Sequence, residues 1–114
     1  MKQRLILAEK PSVARAISHV LSVHGKKDGY LEGGGDLISW CIGHLVSLAD
    51  ADQYDEKYAK WNANDLPITP NPWKYTVPAG KQQQFNVLRS LLNREDVECV
   101  INACDAGREG ELIF

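Results

Sequence analysis

Val97-Glu98-Cys99-Val100-Ile101-Asn102-Ala103-Cys104-Asp105-Ala106-Gly107-Arg108-Glu109-Gly110-Glu111 is the stretch on which the reading of the fold turns. Val97 to Cys104 is a largely apolar, β-branched run and is read as a buried strand, with Cys99 and Cys104 as core residues. Asp105-Ala106-Gly107 makes the turn out of it, and Arg108 onward reads as a helix in which the sequence stops at Phe114. A strand that turns directly into a helix is the repeating unit of α/β folds with parallel sheets.

A second unit of this kind lies at the start of the chain. Leu5-Ile6-Leu7-Ala8 is a short apolar run without alternation, which suits a strand covered on both faces. Glu9 and Lys10 follow, then Pro11, which fits the first position of a helix because its missing N–H is not needed there. Val13, Ile17, Val20 and Leu21 then recur at helical spacing, and Gly25 is expected to close the helix. Tyr30 to Glu32 and Leu37 to Ile42, separated by Gly33-Gly34-Gly35, read as a hairpin. Residues 49–72 are polar, aromatic and proline-rich and are expected to form a surface excursion, with one short helix at 52–60. Phe85, Leu88 and Leu92 share one face of a helix after Gly80. These elements predict an α/β fold with a mostly parallel sheet flanked by helices. The whole of 1–114 is read as one partial domain, with an inserted hairpin and excursion at about 29–78.

Composition narrows the function. The net charge of -2 lacks the basic excess of a self-sufficient DNA-binding domain, so any nucleic acid must be met by a few placed cations, a metal ion or more chain. The three cysteines show no paired C-x-x-C spacing, which points to a reduced, intracellular chain and not to a zinc site or a disulfide framework. No apolar run approaches the ~20 residues of a membrane span, and no signal-peptide pattern opens the sequence. Gly33-Gly34-Gly35 does not join a strand to a helix, and no Walker-type loop occurs, so a nucleotide cofactor is not expected.

In parallel sheets ligands gather at the carboxyl ends of the strands. That rule selects Glu9-Lys10-Pro11 and Asp105 to Glu111. Asp105, Glu109 and Glu111 crowd one strand-to-helix turn, and Glu9 reaches it if the two strands are neighbours. Crowded carboxylates repel, and a divalent cation with a taste for hard oxygen relieves that repulsion. A plainer reading stands beside this one: Asp105 as a helix N-cap, Glu109 as a first-turn acid that complements the helix dipole, and Glu111 facing solvent or bonding the turn. Lys10 stands at the mouth of a helix N-terminus, where a phosphate is favoured. A solvated Glu9-Lys10 pair is the plain alternative.

Taken together, the segments resemble a known family. Leu7-Ala8-Glu9-Lys10-Pro11-Ser12-Val13-Ala14 resembles the opening of type IA DNA topoisomerases of the topoisomerase III kind. Asp105 to Glu111, followed by Leu112 and Ile113, resembles the acidic motif of their Toprim domain. Gly43-His44-Leu45, within Trp40 to Leu48, and Leu66-Pro67-Ile68 resemble further segments in the same order. The resemblance implies a Rossmann-like Toprim fold, truncated in the helix after the acidic motif, and a Mg2+ cofactor for which Mn2+ can substitute.

It also implies roles for individual residues. Glu9 and Lys10 are the expected catalytic pair, Glu9 for proton transfer beside the metal and Lys10 for the scissile phosphate. Glu9, Asp105 and Glu109 are the expected metal ligands, and Arg108 and Glu111 flank them. His44 matches a family histidine, for which a structural role is at least as apt. The family pattern has two aspartates separated by one residue. Gly107 stands at the second place here and removes one carboxylate.

The partners implied are DNA, mainly single-stranded, the remaining domains of a longer chain, and a helicase; the implied location is the cytoplasm, at the nucleoid. The family's nucleophilic tyrosine matches none of Tyr30, Tyr54, Tyr58 and Tyr75, so the fragment alone is expected to be inactive. A Toprim nuclease or primase-type domain and a non-catalytic Toprim binding module remain the alternatives.

Overall fold

The computed structural model describes residues 2–60 and 62–114. It is an α/β fold whose central mixed sheet is flanked by helices. The five strands of that sheet are β1 (Gln3–Ala8), β2 (Gly25–Lys27), β3 (Tyr30–Gly33), β4 (Asp36–Trp40) and, last in the chain, Val97–Ala103. A separate two-stranded ribbon pairs β5 (Ser47–Leu48) with β6 (Tyr75–Thr76), so Val97–Ala103 is β7. The helices are α1 (Pro11–Leu21), α2 (Gln82–Leu92) and α3 (Arg108–Ile113).

The main sheet has the order β2-β3-β4-β1-β7. β1 lies between β4 and β7 and is parallel to both, with Ala8 opposite Trp40 on one side and Ala103 on the other. The β2–β3 and β3–β4 pairs are antiparallel, so the parallel region is the three-strand part that carries β1.

The unbroken apolar run of β1 has the cause expected of it. Leu5 and Leu7 pack with Leu37, Leu88 and Leu91 on the α2 face, while Ile6 and Ala8 pack with Ala14, Val23 and Ile38 on the α1 face. Both faces are covered, so alternation would leave polar groups buried. The hairpin is β3 and β4, turned at Gly34 and Gly35.

β7 departs from its expectation. Most of it is exposed, Cys99 is at the surface and Cys104 is half-buried, so neither is a core residue. β7 bonds to β1 on one side only and forms the edge of the sheet among the described residues, and α1 packs chiefly over β1 and β4. Among the described residues little packs over its middle, and Val97 and Ala103 at its two ends are the parts that reach the core clusters.

Three smaller departures have local causes. α1 ends at Leu21, and Ser22 takes the left-handed cap position at φ 56°, while Gly25 belongs to β2. The short helix expected at 52–60 is two 3-10 turns, Ala51–Gln53 and Glu56–Ala59, because the Asp55 side chain accepts from the Lys57 N–H and caps a fresh start. The buried line of α2 is Gln84, Leu88 and Leu91, and Leu92 is 51% exposed. Gln84 is polar yet buried because its amide donates to the carbonyls of Trp40 (2.8 Å) and Gly29 (3.2 Å) and to Ser39 Oγ (3.1 Å). Hydrophobic periodicity cannot register a satisfied amide in the core.

Candidate metal and phosphate site

The carboxyl end of β1 delivers Glu9 between two neighbours. The register that pairs Ala8 with Trp40 and with Ala103 places Cys41 and Cys104 beside Glu9 at the same end. The Cys41 N–H bonds the Ala8 carbonyl at 2.9 Å and extends that pairing by one step. On the other side, the Asn102 side chain accepts from the Cys104 N–H at 3.0 Å and turns the chain out of β7 toward Asp105.

Glu9 and Asp105 come together here. Hydrogen bonding to the Asp105 carboxyl is the main reason the Glu9 pKa lies above the ordinary glutamate range. Lost hydration and the negative charges of Asp105 and Glu109 push the same way, against the pull of Lys10. The half-buried Cys104 thiol is also raised, first by burial, then by the charges of Glu9, Asp105 and Glu111. Cys41 is pushed up to about 11, chiefly by burial, so it stays a protonated core thiol.

The turn itself is held by Gly110. This residue is buried, and α3 crosses so close to Asp105 that a Cβ would collide with the Asp105 backbone. The N-cap of α3 is Gly107, with no side-chain cap, so Asp105 is not spent on capping the helix. Glu109 lies in the first turn of α3, and its Oε2 is 2.7 Å from His44 Nε2. His44 thus joins the segment after β4 to the acidic turn, a contact that nothing in the local sequence announced. Lys81, at the entry to α2, donates to the His44 carbonyl at 2.6 Å and, unlike His44, was absent from the expected set. Only a non-local contact map could have found either.

Lys10 is exposed and occupies the N-cap of α1 in extended conformation, with Pro11 following. The first intrahelical bond runs from the Ala14 N–H to the Lys10 carbonyl at 3.2 Å, which leaves earlier N–H groups free for an anion. Arg108 and Glu111 are exposed on α3.

The fit to Mg2+ can be judged from these residues. Among the described residues no three His, Cys, Asp or Glu side chains close around a single point. Glu109 is engaged by His44, and the glycine at 107 offers no carboxylate. What remains is the Glu9–Asp105 pair of hard oxygen donors. Magnesium characteristically takes one or two carboxylates, completing its shell with water and substrate phosphate. The pair therefore fits such an ion, as a partial shell.

The family model described as Toprim domain matches residues 4–114. DNA topoisomerase 3 of Bacillus cereus (strain ATCC 10987) is 51% identical over 113 residues, which is 99% of this chain and 16% of that protein. DNA topoisomerase 3 of Bacillus subtilis (strain 168) and that of Bacillus licheniformis are each 47% identical over the same share of both chains. The chain thus spans 16% of the length of these relatives.

Proposed function

This chain belongs to the Toprim-domain family, and from that premise we propose that it serves as the carboxylate-bearing part of a type IA DNA topoisomerase of the topoisomerase III kind. The observation that carries the reading is the meeting of Glu9 and Asp105 at the ends of adjacent parallel strands. Two carboxyls drawn from distant parts of the chain come together where a divalent cation would offset their charges.

In this reading Glu9 and Asp105 hold Mg2+, with Mn2+ able to substitute and Glu109 joining once it leaves His44. When bound, the cation offsets charge on a phosphodiester oxygen. Lys10 and the free N–H groups of α1 bind a second, non-bridging oxygen. As a tyrosine elsewhere in a longer chain forms its bond to phosphorus, the bond from phosphorus to the 3′ oxygen breaks. Glu9 supplies the proton that the 3′ oxygen takes up and recovers it on resealing. A raised pKa suits a carboxyl that exchanges a proton with the 3′ oxygen. Arg108 and Glu111 border the site, and His44 holds Glu109 between turnovers.

The substrate is a single DNA strand, the partners are the other domains of the longer chain and a helicase, and the location is the cytoplasmic nucleoid. With a net charge of -2, this part alone binds DNA weakly and depends on the rest of the enzyme for affinity.

A manganese titration of the isotope-labelled chain, followed by amide signals, tests the metal reading. Residues 9–11 and 105–111 are expected to broaden together, and Asp105→Asn to prevent it. Broadening scattered over unrelated surface acids would count against a shared site. In a full-length parent enzyme, Glu9→Gln is expected to abolish relaxation of supercoiled DNA.

A further inference from the structure

Segment 41–46 leaves the main sheet without a ladder of its own. Buried Cys41 and Leu45 fasten it at two points, and between them Ile42, Gly43 and His44 rise to the surface. Gly43 takes φ +60°, a left-handed turn that side-chain-bearing residues rarely adopt, and this bend sets the direction of His44. Lys81 meets the bend. Its Nζ lies 2.6 Å from the His44 carbonyl, and it would stand 3.9 Å from a Cβ at Gly43. Lys81 is itself anchored, because its N–H bonds the Pro78 carbonyl at 2.9 Å, and Gln84, in the first turn of α2, binds Trp40 at the end of β4.

We propose that Lys81 is a positioning residue for the acidic turn: by holding the His44 carbonyl it aims the imidazole that engages Glu109. The inference rests on the reading of the acidic turn as the metal and phosphate site, and it adds a residue that touches none of the reacting groups. A hydrogen bond from an ammonium to a carbonyl is charge-assisted and stronger than a neutral one. Fixing the carbonyl of His44 fixes its ψ and, with Gly43 set on the other side, the direction of its Cα–Cβ bond. His44 Nε2 then reaches Glu109 Oε2 at 2.7 Å, although the two side chains are 41% and 75% exposed and would otherwise sample other rotamers. Lys81 thereby governs whether Glu109 is held at the loop or released toward Glu9 and Asp105.

The test uses the 114-residue chain with 13C at the glutamate carboxyl carbons, at one fixed neutral pH. His44→Ala is expected to shift the Glu109 carboxyl resonance. Lys81→Met is expected to shift it in the same direction, and Lys81→Arg, which can still donate to a carbonyl, to bring it most of the way back. The Met variant should melt below the Arg variant because it loses the charge-assisted bond, and the Glu109 resonance, not the melting temperature, carries the test. A Glu109 resonance that stays in place in Lys81→Met while moving in His44→Ala overturns the proposal, as does one that ignores His44→Ala. If Lys81→Met does not fold, Lys81→Gln is read in its place, and loss of the fold in both makes Lys81 a structural staple and overturns the proposal. Manganese broadening is scored separately. A Lys81-dependent Glu109 signal without manganese binding refutes the metal reading alone, and manganese binding without that signal refutes only the role of Lys81.

Discussion

Gly110 sits where α3 passes over the backbone of Asp105, and even a methyl group there would have to displace that turn. Gly110→Ala is therefore expected to cost about 1–3 kcal/mol by overpacking, read as a lower midpoint in urea, and to weaken manganese broadening at 105–111. Glu9 gives a second expectation, with a definite sign. Its folded pKa is raised, so the folded state keeps a proton that the unfolded state has lost between the ordinary glutamate pKa and the raised one. Stability must then fall as pH rises through that window. Glu9→Gln should remove this slope and melt higher than wild type above the window, in a series of thermal melts without metal. Both acids were legible in the sequence as strand-end carboxylates. The need for glycine at 110 was not, because it comes from a backbone crossing and not from any property of the heptapeptide.

Among the elements, β1 and β7 make the instructive contrast. Both are apolar runs of similar composition, and the same reading was applied to each. β1 meets it, with helices on both faces, and β7 does not, because little packs over it among the described residues. Burial depends on what packs against a strand, and one strand's letters cannot state that. β7 is held at its start by a polar clasp. Arg94 grips Asp96 through two hydrogen bonds (2.9 and 2.7 Å) and reaches Glu32 at 3.2 Å, while Gln3 Nε2 donates to Asp96 at 2.6 Å. The Asp96 pKa is lowered to about 2, chiefly by Arg94 and then by Gln3. A lowered carboxylate pKa contributes stability that is present above the unfolded aspartate pKa and lost as pH falls through about 2. Arg94→Ala should therefore lower the melting temperature at pH 7 and converge with wild type toward pH 2, measured by circular dichroism.

At the scale of the whole molecule, the order β2-β3-β4-β1-β7 explains which parts could be read and which could not. The strand-to-helix units and their carboxyl-end acids are local signals, and they singled out the stretches holding Glu9, Lys10 and Asp105, while the choice over the plainer readings came from the family resemblance. The His44–Glu109 contact and the Lys81 bond to the His44 carbonyl arise from packing between segments far apart in the chain. The central place of β1 also orders events in time. During synthesis β1 leaves the ribosome long before either neighbour exists, and its apolar edges must wait, first for β4 and then for β7. Such late, non-local pairing is slow and leaves strand edges open to wrong partners. Glu9 spends that interval without Asp105, so a nascent chain that has not yet made β7 has no acidic pair to offer a cation.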